Sequence, residues 1–140
     1  YIASNTHIRI LSVGDNRLQS FKCPGLSVQY VCVCSPDRLY LTDTNSNRLF
    51  CMNSKGETLK VFPSEMLESP MGVAIGPRTN IVVVNASSKT VLRFTKDGHL
   101  VEIRETKDNH NNGFGPEVVC CYGEACAIAA GQHVYRCHFI

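Results

Sequence analysis

Residues 70–98 read PMGVAIGPRTNIVVVNASSKTVLRFTKDG, and the order of apolar and polar residues in them decides the fold. Three short runs rich in Val, Ile, Ala, Leu and Phe are separated by loops of Gly, Pro, Asn and Ser, the composition of strands bounded by turns. The closing Asp97-Gly98 is a hairpin signal, because Gly takes up positive φ without steric cost. The spacing predicts strands over 71–76, 80–85, 90–95 and 100–104. No segment carries a 3.6-residue apolar stripe, so no helix longer than about two turns is expected over 28–104.

The pattern repeats. Leu39-Tyr40-Leu41-Thr42-Asp43-Thr44-Asn45-Ser46-Asn47-Arg48-Leu49-Phe50 aligns with Ile81 to Leu92 at an offset of 42 positions, and Ser54-Lys55-Gly56 aligns with Lys96-Asp97-Gly98 at the same offset. Ile2-Ala3-Ser4-Asn5-Thr6-His7-Ile8 matches Ile128-Ala129-Ala130-Gly131-Gln132-His133-Val134 in residue type. The apolar residue after each loop is Ile8, Leu49, Val91 and Val134, in steps of 41, 42 and 43. Four short strands recurring at this period are the signature of a β-propeller blade, and each blade must stack on a neighbour to cover its faces. The expectation is an all-β chain of four-stranded antiparallel sheets with an about 42-residue repeat, a partial propeller of three to four blades. Its blade parts are 1–27, 28–69, 70–115 and 116–140, and Ile8, Leu49, Val91 and Val134 should be buried between blades. The chain reads as starting at a second strand and ending at a third. It is therefore read as a piece of a longer chain, as an oligomer that completes a ring, or as a small four-bladed closure.

Pro70-Met71-Gly72-Val73-Ala74-Ile75, Asn80 to Asn85, Val91-Leu92-Arg93-Phe94 and Asp97-Gly98, with Arg38 to Asp43, Asn47-Arg48-Leu49 and Lys55-Gly56 before them, resemble the NHL-repeat β-propellers. The resemblance is strong in the two middle repeats and degenerate in the outer two, most of all over Gly123 to Ala130. Leu39-Tyr40-Leu41-Thr42-Asp43 also resembles the YWTD repeats of extracellular receptor propellers, though the aromatic of that motif is Leu41 here. The NHL resemblance implies a non-enzymatic, cytoplasmic protein-interaction module, the substrate-recognition part of a tripartite-motif ubiquitin ligase. Single-stranded RNA binding on the propeller rim and an extracellular receptor or lyase-type propeller are the alternatives.

Composition narrows the classes. The 140 residues are 44% apolar and 19% charged with a formal charge of +2, ordinary for a globular domain. The longest apolar runs are too short to cross a bilayer, so no membrane partner is expected. Eight cysteines fall below the density of a small disulfide scaffold. Cys32 and Cys34 sit two apart and Cys120 and Cys121 are adjacent, so neither pair is placed to bridge internally; most are expected as buried small hydrophobes with nearly all thiols free. Cys120, Cys121, Cys126, His133, Cys137 and His138 are zinc-ligand types, but without a paired knuckle no metal and no other cofactor is expected. No nucleophile elbow, phosphate loop or recurring His spacing supports catalysis.

The candidate binding surface is the loop between the second and third strand of each blade. It carries His7, then Asn47 and Arg48, then Lys89 and Thr90, then Gln132 and His133, at aligned positions that should share one rim. Such a rim suits an acidic peptide, or RNA phosphates. The connection from Thr106 to Pro116 is long and polar with one aromatic, Phe114, read as either a binding anchor or a packing residue. Asn85-Ala86-Ser87 is a glycosylation sequon, which matters only outside the cell.

Overall fold

The apolar runs become strands, and the Gly- and Asn-bearing joints become turns. The computed structural model describes residues 2–4, 7–12, 14–22, 28–108 and 110–138. In chain order these hold β1 (Ile2–Ser4), β2 (His7–Ser12), β3 (Arg17–Lys22), β4 (Val28–Ser35), β5 (Arg38–Asp43), β6 (Arg48–Met52), β7 (Thr58–Val61), β8 (Pro70–Ile75), β9 (Ile81–Asn85), β10 (Thr90–Phe94), β11 (Leu100–Glu105), β12 (Val118–Tyr122), β13 (Ala125–Ala130) and β14 (His133–His138). The helical content among the described residues is two single 3-10 turns, Ser64–Met66 and Pro77–Thr79.

The strands form four antiparallel meanders, with orders β1-β2-β3, β4-β5-β6-β7, β8-β9-β10-β11 and β12-β13-β14. This is the β-propeller arrangement that the repeat predicts. The two middle repeats superpose in detail. Gly56 and Gly98 both take positive φ, 87° and 90°, in the turn before the outer strand. Each of those turns follows a break in ladder register, between Cys51 and Met52 and between Arg93 and Phe94. Asn47 and Lys89, at equivalent places one blade apart, both sit in the left-handed region at 54° and 56°.

Burial grades outward along each blade. The first strands β4, β8 and β12 lie against one another across successive sheets. The middle strands β5, β6, β9 and β10 are buried on both faces, which is why they read as nearly unbroken apolar runs. The fourth strands β7 and β11 are largely exposed, and so is β14, a third strand that is the last of its sheet among the described residues. Gly72 marks the tightest approach. Its amide donates to the Glu117 carbonyl at 2.8 Å, and a Cβ on it would come within 2.8–3.0 Å of the backbone at 117–119, so a side chain there would push blade three off blade four.

Three apolar layers join the four sheets. Ile8 with Val28, Leu41, Phe50 and Met52 closes the first interface. Tyr40, Leu49, Phe62, Val83, Leu92 and Phe94 fill the second, with Phe62 edge-on to both Tyr40 and Phe94 at 6.0 and 5.5 Å between ring centres. Val82, Val84, Val91, Val119, Cys126 and Ile128 fill the third.

Two expectations fail, each for a physical reason. Ile8, Leu49 and Val91 are buried as expected, but Val134 is 73% exposed. Each of these residues faces the sheet that follows its own, and the described residues contain no sheet beyond β12–β14 to cover Val134. The cysteines depart as well. Cys121 and Cys126 form a disulfide, so the thiols are not nearly all free. Neither Cys32–Cys34 nor Cys120–Cys121 is bridged, as the strand geometry requires; the bridge runs across the β12–β13 hairpin, where Cys121 and Cys126 are direct partners. Cys120 is exposed rather than buried, Cys32, Cys34 and Cys137 are half-buried, and Cys51 is a buried free thiol. Cys23 lies outside the described residues.

Repeat-equivalent positions should therefore differ in stability cost. Leu49→Ala is expected to lose ~2–5 kcal/mol in urea unfolding, whereas Val134→Ala stays within ~0.5 kcal/mol. Equal losses at both sites would contradict the described sheet order.

Candidate functional site

The aligned candidate residues fall on one rim, and the backbone shows how that rim is built. His7, Arg48, Thr90 and His133 each open a third-position strand, β2, β6, β10 and β14. The loops before β6 and β10 meet the blade-to-blade connections through a chain of polar contacts. Asn47 Oδ1 accepts from the Ser69 amide at 2.8 Å, and the Ser87 hydroxyl donates to the Ser69 hydroxyl at 2.8 Å. The Ala86 amide donates to the Ser69 carbonyl, and the Thr106 amide donates to the Lys89 carbonyl. Lys89 then lies over Gly113, where a Cβ would come within 3.2 Å of Lys89 Cδ.

Strand alternation keeps these residues from converging on one point. Leu49 and Val91 face the following sheet, so Arg48 and Thr90, one residue earlier, face the preceding one. Arg48, Thr90 and His133 thus sit at separate notches between neighbouring blades. Arg48 is exposed, directly across from the buried Asp43. Asp43 Oδ1 accepts from the amides of Asn45 and Ser46 and so shapes the loop that presents Asn47. Thr90 exchanges a 2.8 Å hydrogen bond with Ser88 and borders a cleft with Glu65 and Glu68. That notch is acidic and its hydroxyls are engaged. His7 opens β2 as a half-buried residue opposite Lys22. Gln132 is exposed in the turn beside Gly131, which takes φ 58°.

The richest notch lies between blades three and four. Phe114 stacks on Tyr135 with ring centres 4.0 Å apart and planes 15° from parallel, and His133 lies 6.3 Å from Tyr135. A cleft of about 180 Å³ opens beside the stack, bordered by Arg104, Lys107, Tyr135 and Arg136. The connection that brings Phe114 here folds on itself. Asp108 accepts from the amides of His110 and Asn112, which holds its carboxyl below the usual range, and the buried Thr106 hydroxyl donates to the Phe114 carbonyl. The walls are held by ion pairs, Arg93 to Glu102 at 2.9 Å and Arg104 to Glu102 at 2.6 Å, with Lys107 to Glu105 at the mouth. Burial alone would raise the Glu102 carboxyl, but hydrogen bonds and charge from Arg104 and Arg93 outweigh it and hold the carboxyl below its usual value.

Phe114 packs half-buried against the third interface, the packing role that the sequence offered, and it also forms one wall of the cleft. Tyr135, Arg136 and Lys107 are new to the candidate set. Tyr135 was findable, being the aromatic two residues past the aligned His133 and hence on the same strand face. Lys55 and Lys96 lie in the opposite turns, where Asp37 accepts from the Ser54 hydroxyl at 2.7 Å and the Lys60 amine donates to the Asp97 carbonyl. The sequon is sealed: Asn85 is buried and its amide donates to the Met66 carbonyl at 2.8 Å. Among the described residues no three His, Cys, Asp or Glu converge as a metal site, and no helix is long and apolar enough to cross a membrane.

Solved propellers share this architecture. The chain is similar to a streptogramin B lyase (16% identity, TM-score 0.72, 96% of this chain and 48% of that one). It is similar to U3-55K (16%, 0.73, 96% and 43%) and to the glutaminyl cyclase of Myxococcus xanthus (12%, 0.69, 93% and 56%). Identities this low carry the fold alone, and the chain spans about half the length of these structures. No known family profile and no curated protein matches the sequence.

The Phe114–Tyr135 stack should be measurable as a coupling. In a double-mutant cycle of Phe114→Ala and Tyr135→Ala, the two losses should fall short of additivity by ~0.5–1.5 kcal/mol. Additive losses would mean that the rings do not touch in solution.

Proposed function

We propose that this chain is a binding module without catalytic activity of its own, which takes an acidic, aromatic-bearing peptide segment of a protein partner in the notch between blades three and four. The observation that carries the reading is the co-location of an aromatic stack with Arg104 and Lys107 beside one cleft, with His133 6.3 Å from Tyr135 and Lys89 over Gly113 nearby. Stacked rings offer flat apolar area, and the surrounding cations favour an anionic partner. The resemblance to NHL repeats extends the proposal to the substrate-recognition part of a cytoplasmic tripartite-motif ubiquitin ligase. The similar solved propellers include lyases and a cyclase as well as U3-55K, so fold likeness makes no choice between enzyme and binding module. A second reading, single-stranded RNA, rests on the same cations and rings, since bases stack on aromatics.

A display library of linear peptides, with an oligouridylate of about a dozen nucleotides beside it, separates the readings. The wild-type chain is expected to enrich acidic peptides that contain an aromatic residue. Lys89→Glu with Lys107→Glu should weaken the enriched peptides at least ~10-fold, or ~1.4 kcal/mol. Arg48→Glu, at a separate notch, should matter less, and the opposite-face pair Lys55→Glu with Lys96→Glu should leave binding intact. Equal loss from both pairs reduces the effect to net charge and removes the proposal. Tight, salt-sensitive binding of the oligouridylate without peptide enrichment favours the RNA reading.

A further inference from the structure

Three cysteines stand in one row across blade four. Cys121 on β12 is the direct partner of Cys126 on β13, and Cys126 is in turn the direct partner of Cys137 on β14. Directly opposed residues in antiparallel strands share a face with their Cβ atoms ~4.5–5.5 Å apart, so all three side chains point to the same side of the sheet. That side is the one packed on blade three, since Cys121 and Cys137 both lie against the apolar layer that contains Cys126. Cys121 and Cys126 are bridged, while Cys137 is a half-buried free thiol. A free thiol is thus held beside the central sulfur of a disulfide. Cys120, one residue away, points to the opposite face with Ala127 and Arg136 and is outside the row.

We propose that this row is an internal thiol–disulfide exchange site in which the bridge moves between Cys121–Cys126 and Cys126–Cys137. The Cys137 thiol gives its proton to solvent, and the thiolate attacks Cys126 Sγ. The new Cys126–Cys137 bond forms as the Cys121–Cys126 bond breaks. The electron pair leaves on Cys121, which then takes up a proton. No net oxidation occurs, so no outside oxidant is needed. The released Cys121 thiol is left beside Gly76 of blade three, where its sulfur already lies 3.8 Å from the place of a Cβ. Burial pushes the Cys137 thiol up and Glu102 adds to that, while Arg104 of the same neighbouring strand pulls it down, so attack depends on a minor thiolate population.

The two states differ in what they hold. A Cys121–Cys126 bridge staples the hairpin of β12 and β13, and a Cys126–Cys137 bridge staples β14, an outer strand paired on one side only among the described residues. Because β14 carries His133 and Tyr135, the second state tethers one wall of the cleft; that consequence, unlike the exchange itself, rests on the proposed binding site.

Proteolysis reads the exchange directly, with no ligand involved. Trypsin cuts after Lys107 and Arg136, and no Lys or Arg lies between them, so 108–136 holds Cys120, Cys121 and Cys126 on one peptide and Cys137 begins the next. The chain is incubated for hours in a glutathione redox buffer at pH 8.5, quenched with acid, alkylated, digested without reduction and mapped by tandem mass spectrometry. Wild type should yield both the internally bridged 108–136 peptide and a species joining it to the Cys137 peptide through Cys126. Cys121→Ser should make the joined species the main disulfide product, and Cys126→Ser should abolish it. Should Cys121→Ser not fold, the wild-type map decides alone. A wild type with Cys137 alkylated throughout, or joined only through Cys120, overturns the proposal.

Discussion

The need of every sheet face for an apolar cover governs this structure. A sheet whose middle strands are apolar on both sides cannot rest against water on either, and β5, β6, β9 and β10 are of that kind. Stacking meets the need on both sides at once: the sheet β8–β11 shows Val82, Val84 and Val91 to one neighbour, and Ile81, Val83, Leu92 and Phe94 to the other. Each such side chain contributes roughly 1.5–3 kcal/mol by leaving water, so the interfaces outweigh any single turn or ion pair. Gly72 shows how closely the inner ends must approach for the layers to close, and Val134 shows the same face where the described residues supply no cover.

The rim inherits its character from that stacking. Alternation sends the residue before each buried Leu or Val to the opposite side of its sheet, so the aligned polar positions become notches between neighbours rather than a ring about one axis. What a notch can bind then depends on the connection that borders it. The short connection through Glu65 and Glu68 leaves Thr90 in an acidic cleft with its hydroxyl engaged. The longer one through Phe114 brings a ring onto Tyr135 and leaves cations around it. Two notches of the same backbone design thereby acquire different chemistry, carboxylates without a cation in the first and ion-paired cations beside an aromatic stack in the second.

Cysteine chemistry in blade four follows from strand register. A disulfide between cross-strand partners needs only the pairing that the sheet already makes, and a third partner on the next strand places a thiol within reach of the same sulfur. The separation in sequence says nothing of this. Cys126 and Cys137 are as distant along the chain as many unrelated pairs, yet they are lateral neighbours because the β13–β14 turn is short.

Much of the fold was legible in the chain itself. The 42-residue offset, the four apolar runs per unit and the Gly56 and Gly98 turns each express a local constraint, and local constraints do not wait for tertiary context. Strand positions in the 70–105 repeat fell within a residue or so of where the pattern put them. The shared rim of the second-to-third-strand loops was legible too, because repeat equivalence carries spatial equivalence with it. Tertiary structure alone decided what depends on which sheet lies beside which. That Val134 is exposed while Leu49 is buried, that Arg48 and His133 occupy different notches, that Phe114 meets Tyr135, and that Cys121 is bridged to Cys126 are all matters of neighbours across a gap between strands or blades. A one-dimensional period specifies the side of a sheet to which a residue points, and only the packed sheets specify what it meets there.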